Sequence, residues 1–116
     1  NAVPVSQVEK TITVVSGTKS ASGDNSLISA PGAGVKIVIA WITLQNESST
    51  ATTMLLQDGS GGSTFQRVLG QNQGDGIAVV YPADARKKLT ANTALNLNLS
   101  GANACGYTVG YYTEQE

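Results

Sequence analysis

The stretch "VKIVIAWITLQNE", Val35 to Glu47, decides the fold. Valine and isoleucine dominate its first half. Their branched Cβ atoms are stiff in a helix and pack well on a pleated surface. Gly34 precedes the run, and no helical period of apolar residues is present. The stretch therefore reads as a strand. Odd positions carry Val35, Ile37, Ile39, Trp41 and Thr43, and even positions carry Lys36, Val38, Ala40, Ile42 and Leu44. Both faces are apolar through the middle. A strand wetted on one side would show polar residues there, so the pattern predicts a central strand covered on both faces. A single sandwich covers each sheet on one face only. The second cover is expected from another copy of the chain.

Similar but shorter segments lie on either side. "KTITVVS" (10–16), "SLISA" (26–30), "TTMLLQD" (52–58), "TFQRVLG" (64–70), "IAVVYP" (77–82), "ALNLNLS" (94–100) and "CGYTVGYY" (105–112) all read as strands. Turn-forming residues separate them. "GTKSASGDN" (17–25) reads as a connection, and "GSGG" (59–62) joins an antiparallel hairpin. The segments at 94–100 and 105–112 read as a closing hairpin. "ADARKKLT" (83–90) is the one place for a helical turn. Residues 1–8, with Pro4 and no clear period, read as an extended arm, and residues 9–116 as one domain. About eight strands at regular spacing predict an all-β antiparallel sandwich or jelly roll.

The last strand poses a sharper question. Cys105, Tyr107, Val109 and Tyr111 share one face, which suits a core. Gly106, Thr108, Gly110 and Tyr112 share the other. Glycine inside a strand often marks close approach by another group. Together with the second face of 35–44, this points to a subunit interface built from Val38, Ala40, Ile42, Leu44, Gly106, Thr108, Gly110 and Tyr112. The adjacent Tyr111 and Tyr112 must place one ring on each face.

Composition narrows the chemistry. The formal net charge is −1 with 13% charged residues, which argues against an electrostatic grip on nucleic acid. No apolar stretch reaches the ~20 residues of a membrane helix. Neither nucleic acid nor a membrane is expected as a partner. The chain has no histidine, so the commonest acid–base group and metal ligand is missing. Cys105, the single cysteine, reads as a small buried hydrophobe without a base partner. The acidic residues fall mostly in loops and ends, with no carboxylate pair spaced for glycoside hydrolysis. "QDGSGG" and "QGDGIA" lack the alternating oxygen ligands of a calcium loop and read as turns. No enzyme activity, cofactor or metal is expected. Trp41 reads as core, the alternative being an exposed stacking platform for sugar. Arg86, Lys87 and Lys88 are the one basic run, read as a solvated loop or as a contact with an acidic patch.

The segment "GIAVVYPADARKKLTANTALNLNLSGANACGYTVGYYTE" (76–114) resembles the C-terminal part of small tailed-bacteriophage virion proteins. The likeness lies in the strand Gly76 to Tyr81, the strand Leu95 to Ser100, the turn Gly101 to Ala104 and the tyrosine-rich strand Tyr107 to Tyr112. Residues 36–62 are similar to their central hairpin. The resemblance implies a homotrimeric jelly roll like that of tumour necrosis factor, on the capsid surface of a virion. It implies a decoration protein bound to the major capsid protein, with capsid contacts from Ala2, Val3, Pro4, Val5, Arg86, Lys87 and Lys88. The alternative it implies is a tail-fibre or knob domain that binds a host surface glycan.

Overall fold

The computed structural model describes residues 10–116. The arm expected over residues 1–8, with Ala2, Val3, Pro4 and Val5, lies outside the described residues. Nine strands are present: β1 (Thr13–Lys19), β2 (Gly23–Ile28), β3 (Val35–Asn46), β4 (Thr52–Asp58), β5 (Thr64–Gly70), β6 (Gly76–Val80), β7 (Lys87–Lys88), β8 (Leu95–Leu99) and β9 (Cys105–Gln115). No helix occurs among the described residues, so 83–90 holds turns and the short β7 rather than a helical turn.

The strands form two antiparallel sheets. One has the order β1-β9-β3-β6, with β7 also paired to β3, and the other has the order β2-β8-β4-β5. The chain changes sheet at every connection except β4–β5 and β6–β7. Only β4 and β5 are consecutive strands that also pair, as the hairpin reading of 52–70 expected. This interleaving of two four-stranded orders is the path of a jelly roll. It also corrects the expected closing hairpin: β8 and β9 follow each other in sequence but lie in opposite sheets. The turn-rich connection at 17–25 is shorter than expected, because β1 runs on to Lys19 and β2 starts at Gly23.

The core lies between the sheets. Leu95, Leu97 and Leu99 of β8 face Ile37, Ile39, Ile42 and Leu44 of β3 and Cys105, Tyr107 and Val109 of β9 across it. Strands β3 and β9 pair along nearly their whole length, with one break in register between Ile39 and Trp41. Ala40 is the extra residue of a β-bulge there. A bulge shifts the side-chain alternation by one. Before it, the odd residues Ile37 and Ile39 point into the core; after it, the even residues Ile42 and Leu44 do. Much of the doubly apolar pattern of 35–44 is thus one core face that changes phase; Val38 and Ala40, on the other face before the bulge, are also buried but lie outside the core cluster.

The bulge is held by its own hydrogen bonds. The Ala40 carbonyl accepts from the Tyr81 backbone N–H at 2.8 Å and from the Arg86 guanidinium at 3.4 Å. The same guanidinium donates to the Tyr81 carbonyl. The carbonyl left over by the irregular ladder is therefore satisfied within the chain, as a buried backbone group must be.

Candidate binding face

With the alternation corrected, the outer face of the β1-β9-β3-β6 sheet can be read row by row. One row runs Val14, Gly110, Trp41, Val80. The next runs Ser16, Thr108, Thr43, Ala78, and the next Thr18, Gly106, Gln45, Gly76. The face is apolar along the first row and rich in hydroxyl and amide groups along the others.

The two glycines of β9 are roofed by side chains of the same chain. A Cβ built on Gly110 would lie 2.3 Å from Cε2 and Nε1 of Trp41. The indole therefore lies across β9 at Gly110, where no side chain stands in its way. A Cβ built on Gly106 would lie 2.5 Å from a carboxylate oxygen of Glu47. The close approach that glycine signals in this strand is thus made by Trp41 and Glu47, not by a neighbouring backbone. Trp41 is half-buried and outside the core cluster, which corrects its reading as core.

From the row next to Trp41, whose indole borders that row but is not among the lining residues, a shallow trough runs toward Glu47. On the β1 side it is a depression of about 300 Å³ lined by Ser16, Thr18, Thr43, Gln45, Glu47 and Thr108. A second depression of about 380 Å³ lies on the other side of Gln45, toward Gly76 and Ala78. The Thr108 hydroxyl donates to that of Ser16 at 3.3 Å, and the Thr18 hydroxyl donates to Glu47 at 3.4 Å. Gln45 donates to the Gly74 carbonyl at 3.2 Å. Sequence reasoning passed over Thr43, Gln45 and Glu47. The signal was the polar alternation Trp41, Thr43, Gln45, Glu47 on the odd positions after Ala40, hidden because the phase was carried through unbroken.

The residues assigned to a subunit interface are separated by the same bulge. Ile42 and Leu44 are 0% and 2% exposed and belong to the core, so they face inward rather than outward. Val38 and Ala40 are closed off to 0% and 1%, and Gly110 is buried beneath Trp41. Only Gly106, Thr108 and Tyr112 remain partly open on the outer face. Tyr111 packs against the core and Tyr112 lies on the opposite side, as their adjacency required.

The basic run is engaged within the chain. Arg86 clamps the bulge, the Lys87 ammonium sits 4.9 Å from the ring centre of Phe65, and Lys88 pairs with Glu114 at 3.0 Å. Cys105 is buried, with its Sγ 3.1 Å from the Met54 Sδ. Desolvation pushes its thiol up to about 11, so it stays protonated at neutral pH and is no nucleophile.

A second polar cluster lies on the outer face of the other sheet. The Asp24 carboxylate accepts from Ser60, from Asn98 at 2.9 Å and from Asn96 at 3.0 Å, and Asn96 also donates to Gln57 at 2.8 Å. These bonds, that from Ser60 foremost, hold the Asp24 carboxyl below its usual range. The cluster ties β2, β8 and the β4–β5 turn together.

A jelly roll with a closed core and one roofed, hydroxyl-lined outer face defines the chain at the level of fold. No family model matches the sequence, and no curated protein matches it. Among solved structures it is similar to a chain in the cryo-EM structure of the VLP of giant freshwater prawn Macrobrachium rosenbergii extra small virus (XSV). The match covers 99% of this chain and 88% of that one, with a TM-score of 0.50 and 14% sequence identity. At that identity the likeness is one of fold alone.

Proposed function

We propose that this chain is a structural protein of a virion. The observation that carries the reading is the jelly-roll path, shared over almost the whole chain with a protein of a virus-like particle. Burial of β3 does not force assembly, because the bulge lets one chain close its own core. Copies would instead meet as finished folds. The most exposed large apolar residues of the first sheet, Val14 at 57% and Val80 at 75%, stand on its two outermost strands, β1 and β6. Open strand edges are where chains pair with one another. Edge-to-edge pairing through the backbones of β1 and β6 would place Val14 and Val80, at the two ends of the outer-face row, beside the seams.

The finer reading is a homotrimeric decoration protein on a tailed-bacteriophage head, in contact with the major capsid protein. It rests on the sequence resemblance of residues 35–114. Within it, the contacts assigned to Arg86, Lys87 and Lys88 would have to compete with the partners these residues already hold. Electron microscopy of the native particle, with the chain located by a bound antibody fragment, tests the proposal. Copies at repeating positions on the shell support it. Purified particles that lack the chain overturn it.

A further inference from the structure

We propose that the trough between Trp41 and Glu47 is a binding site for a neutral oligosaccharide. A pyranose ring has an apolar face of C–H groups and a rim of hydroxyls that both donate and accept. The trough presents a partner for each. The Trp41 indole is held at Gly110 on the outer face and is only half-buried, which leaves part of the ring as an apolar contact surface. Beside it, Ser16, Thr43 and Thr108 form a row of hydroxyls across β1, β9 and β3. At the far end the Glu47 carboxylate accepts hydrogen bonds from hydroxyl donors, the stronger for being charged.

Size and charge agree with this ligand. Indole and carboxylate stand over Gly110 and Gly106, four residues apart on one strand, which is roughly 13 Å. That span takes two or three sugar rings. Each depression is within the range of small-ligand sites, which starts at roughly 300 Å³. Glu47 is the one charged residue lining the two depressions, and no lysine or arginine lines either. The site therefore repels anionic ligands such as nucleic acid or sulfated glycans and complements a donor-rich neutral one. The glycines serve the site directly, since a side chain at either position would displace the indole or the carboxylate. The site does not depend on the virion reading; it requires only that the outer face be open.

Trp41 is the only tryptophan, so its emission reports on the site without a label. The full chain is titrated with cello-, malto-, xylo- and N-acetylchito-oligosaccharides of two to four rings, with a heparin tetrasaccharide as the anionic control. The expected result is a saturable change in emission with at least one neutral series and none with the anionic control. Thr43→Val and Glu47→Gln should each weaken that binding tenfold or more, while their circular dichroism and ligand-free emission match the parent. No response to any neutral series at millimolar concentration overturns the proposal. So does a response to the sulfated probe alone, or binding that both variants leave unchanged. A failed titration leaves the particle experiment untouched, and a chain missing from particles leaves the titration untouched.

Discussion

A methyl group added at Gly110 would come within 2.3 Å of the indole of Trp41. Gly110→Ala should therefore drive that ring off the sheet. Alanine for glycine gains about 0.4–1 kcal/mol through the unfolded chain, and the forced displacement costs about 1–3 kcal/mol, so the clash wins. Chemical denaturation should show a net loss of stability, and the tryptophan emission should move to longer wavelength in the folded state. An unchanged emission maximum would mean that the indole does not lie over β9. Asp24 gives a test by pH. Its carboxyl is held below its ordinary value, first by Ser60 and then by Asn98 and Asn96. Its contribution is thus present above the unfolded value of about 3.9 and is lost as pH falls through the lower folded value. Asp24→Asn should lose stability near neutral pH and change less than the parent between pH 5 and pH 2, as read from urea midpoints.

Strand β3 shows what was legible and what was not. The odd residues Ile37 and Ile39 and the even residues Ile42 and Leu44 were all visible as apolar, so the element and its central place could be read directly. A period of two carried unbroken through Ala40 then put two core residues on the outside. One extra residue reverses every side chain beyond it, and alternation alone does not announce a bulge whose residue is as small as alanine. The same limit hid Thr43, Gln45 and Glu47, while Gly106 and Gly110 were read as places for a neighbouring chain and are met by Glu47 and Trp41 of the same chain. What approaches them comes from sequence positions some sixty residues earlier, which no local pattern reveals. Deleting Ala40 should therefore be tolerated. Ile39 and Trp41 would then follow each other in regular alternation, with Trp41 and Thr43 still outward and Ile42 and Leu44 still inward. The loss is that of the hydrogen bonds to the Ala40 carbonyl, about 0.5–3 kcal/mol in urea denaturation, and circular dichroism should show a folded chain. An unfolded or insoluble chain would contradict the phase change, since an alternation unbroken through Ala40 would be reversed by the deletion.

At the scale of the molecule, the two four-stranded orders follow from connections that mostly cross between sheets, with one hairpin at β4–β5. The number and spacing of strands were readable from the turns, but which strands share a sheet was not. Strands β8 and β9, joined by the short stretch Ser100 to Ala104, look like a hairpin in sequence and are parted by the core. Because that core is filled by Ile37, Ile39, Ile42 and Leu44 from one strand of one chain, the fold should stand without neighbours. A chain of this size buries roughly two-thirds of its unfolded surface by itself, and assembly then joins completed subunits. Thermal unfolding of the full chain from ~1 to ~100 μM tests this most directly, since any stabilising partner copy makes the midpoint depend on concentration. The account predicts one cooperative transition whose midpoint becomes constant toward low concentration, where assembled copies have separated and the single chain still folds. A midpoint that keeps falling on dilution until no folded chain remains would show that the core is completed by a second chain.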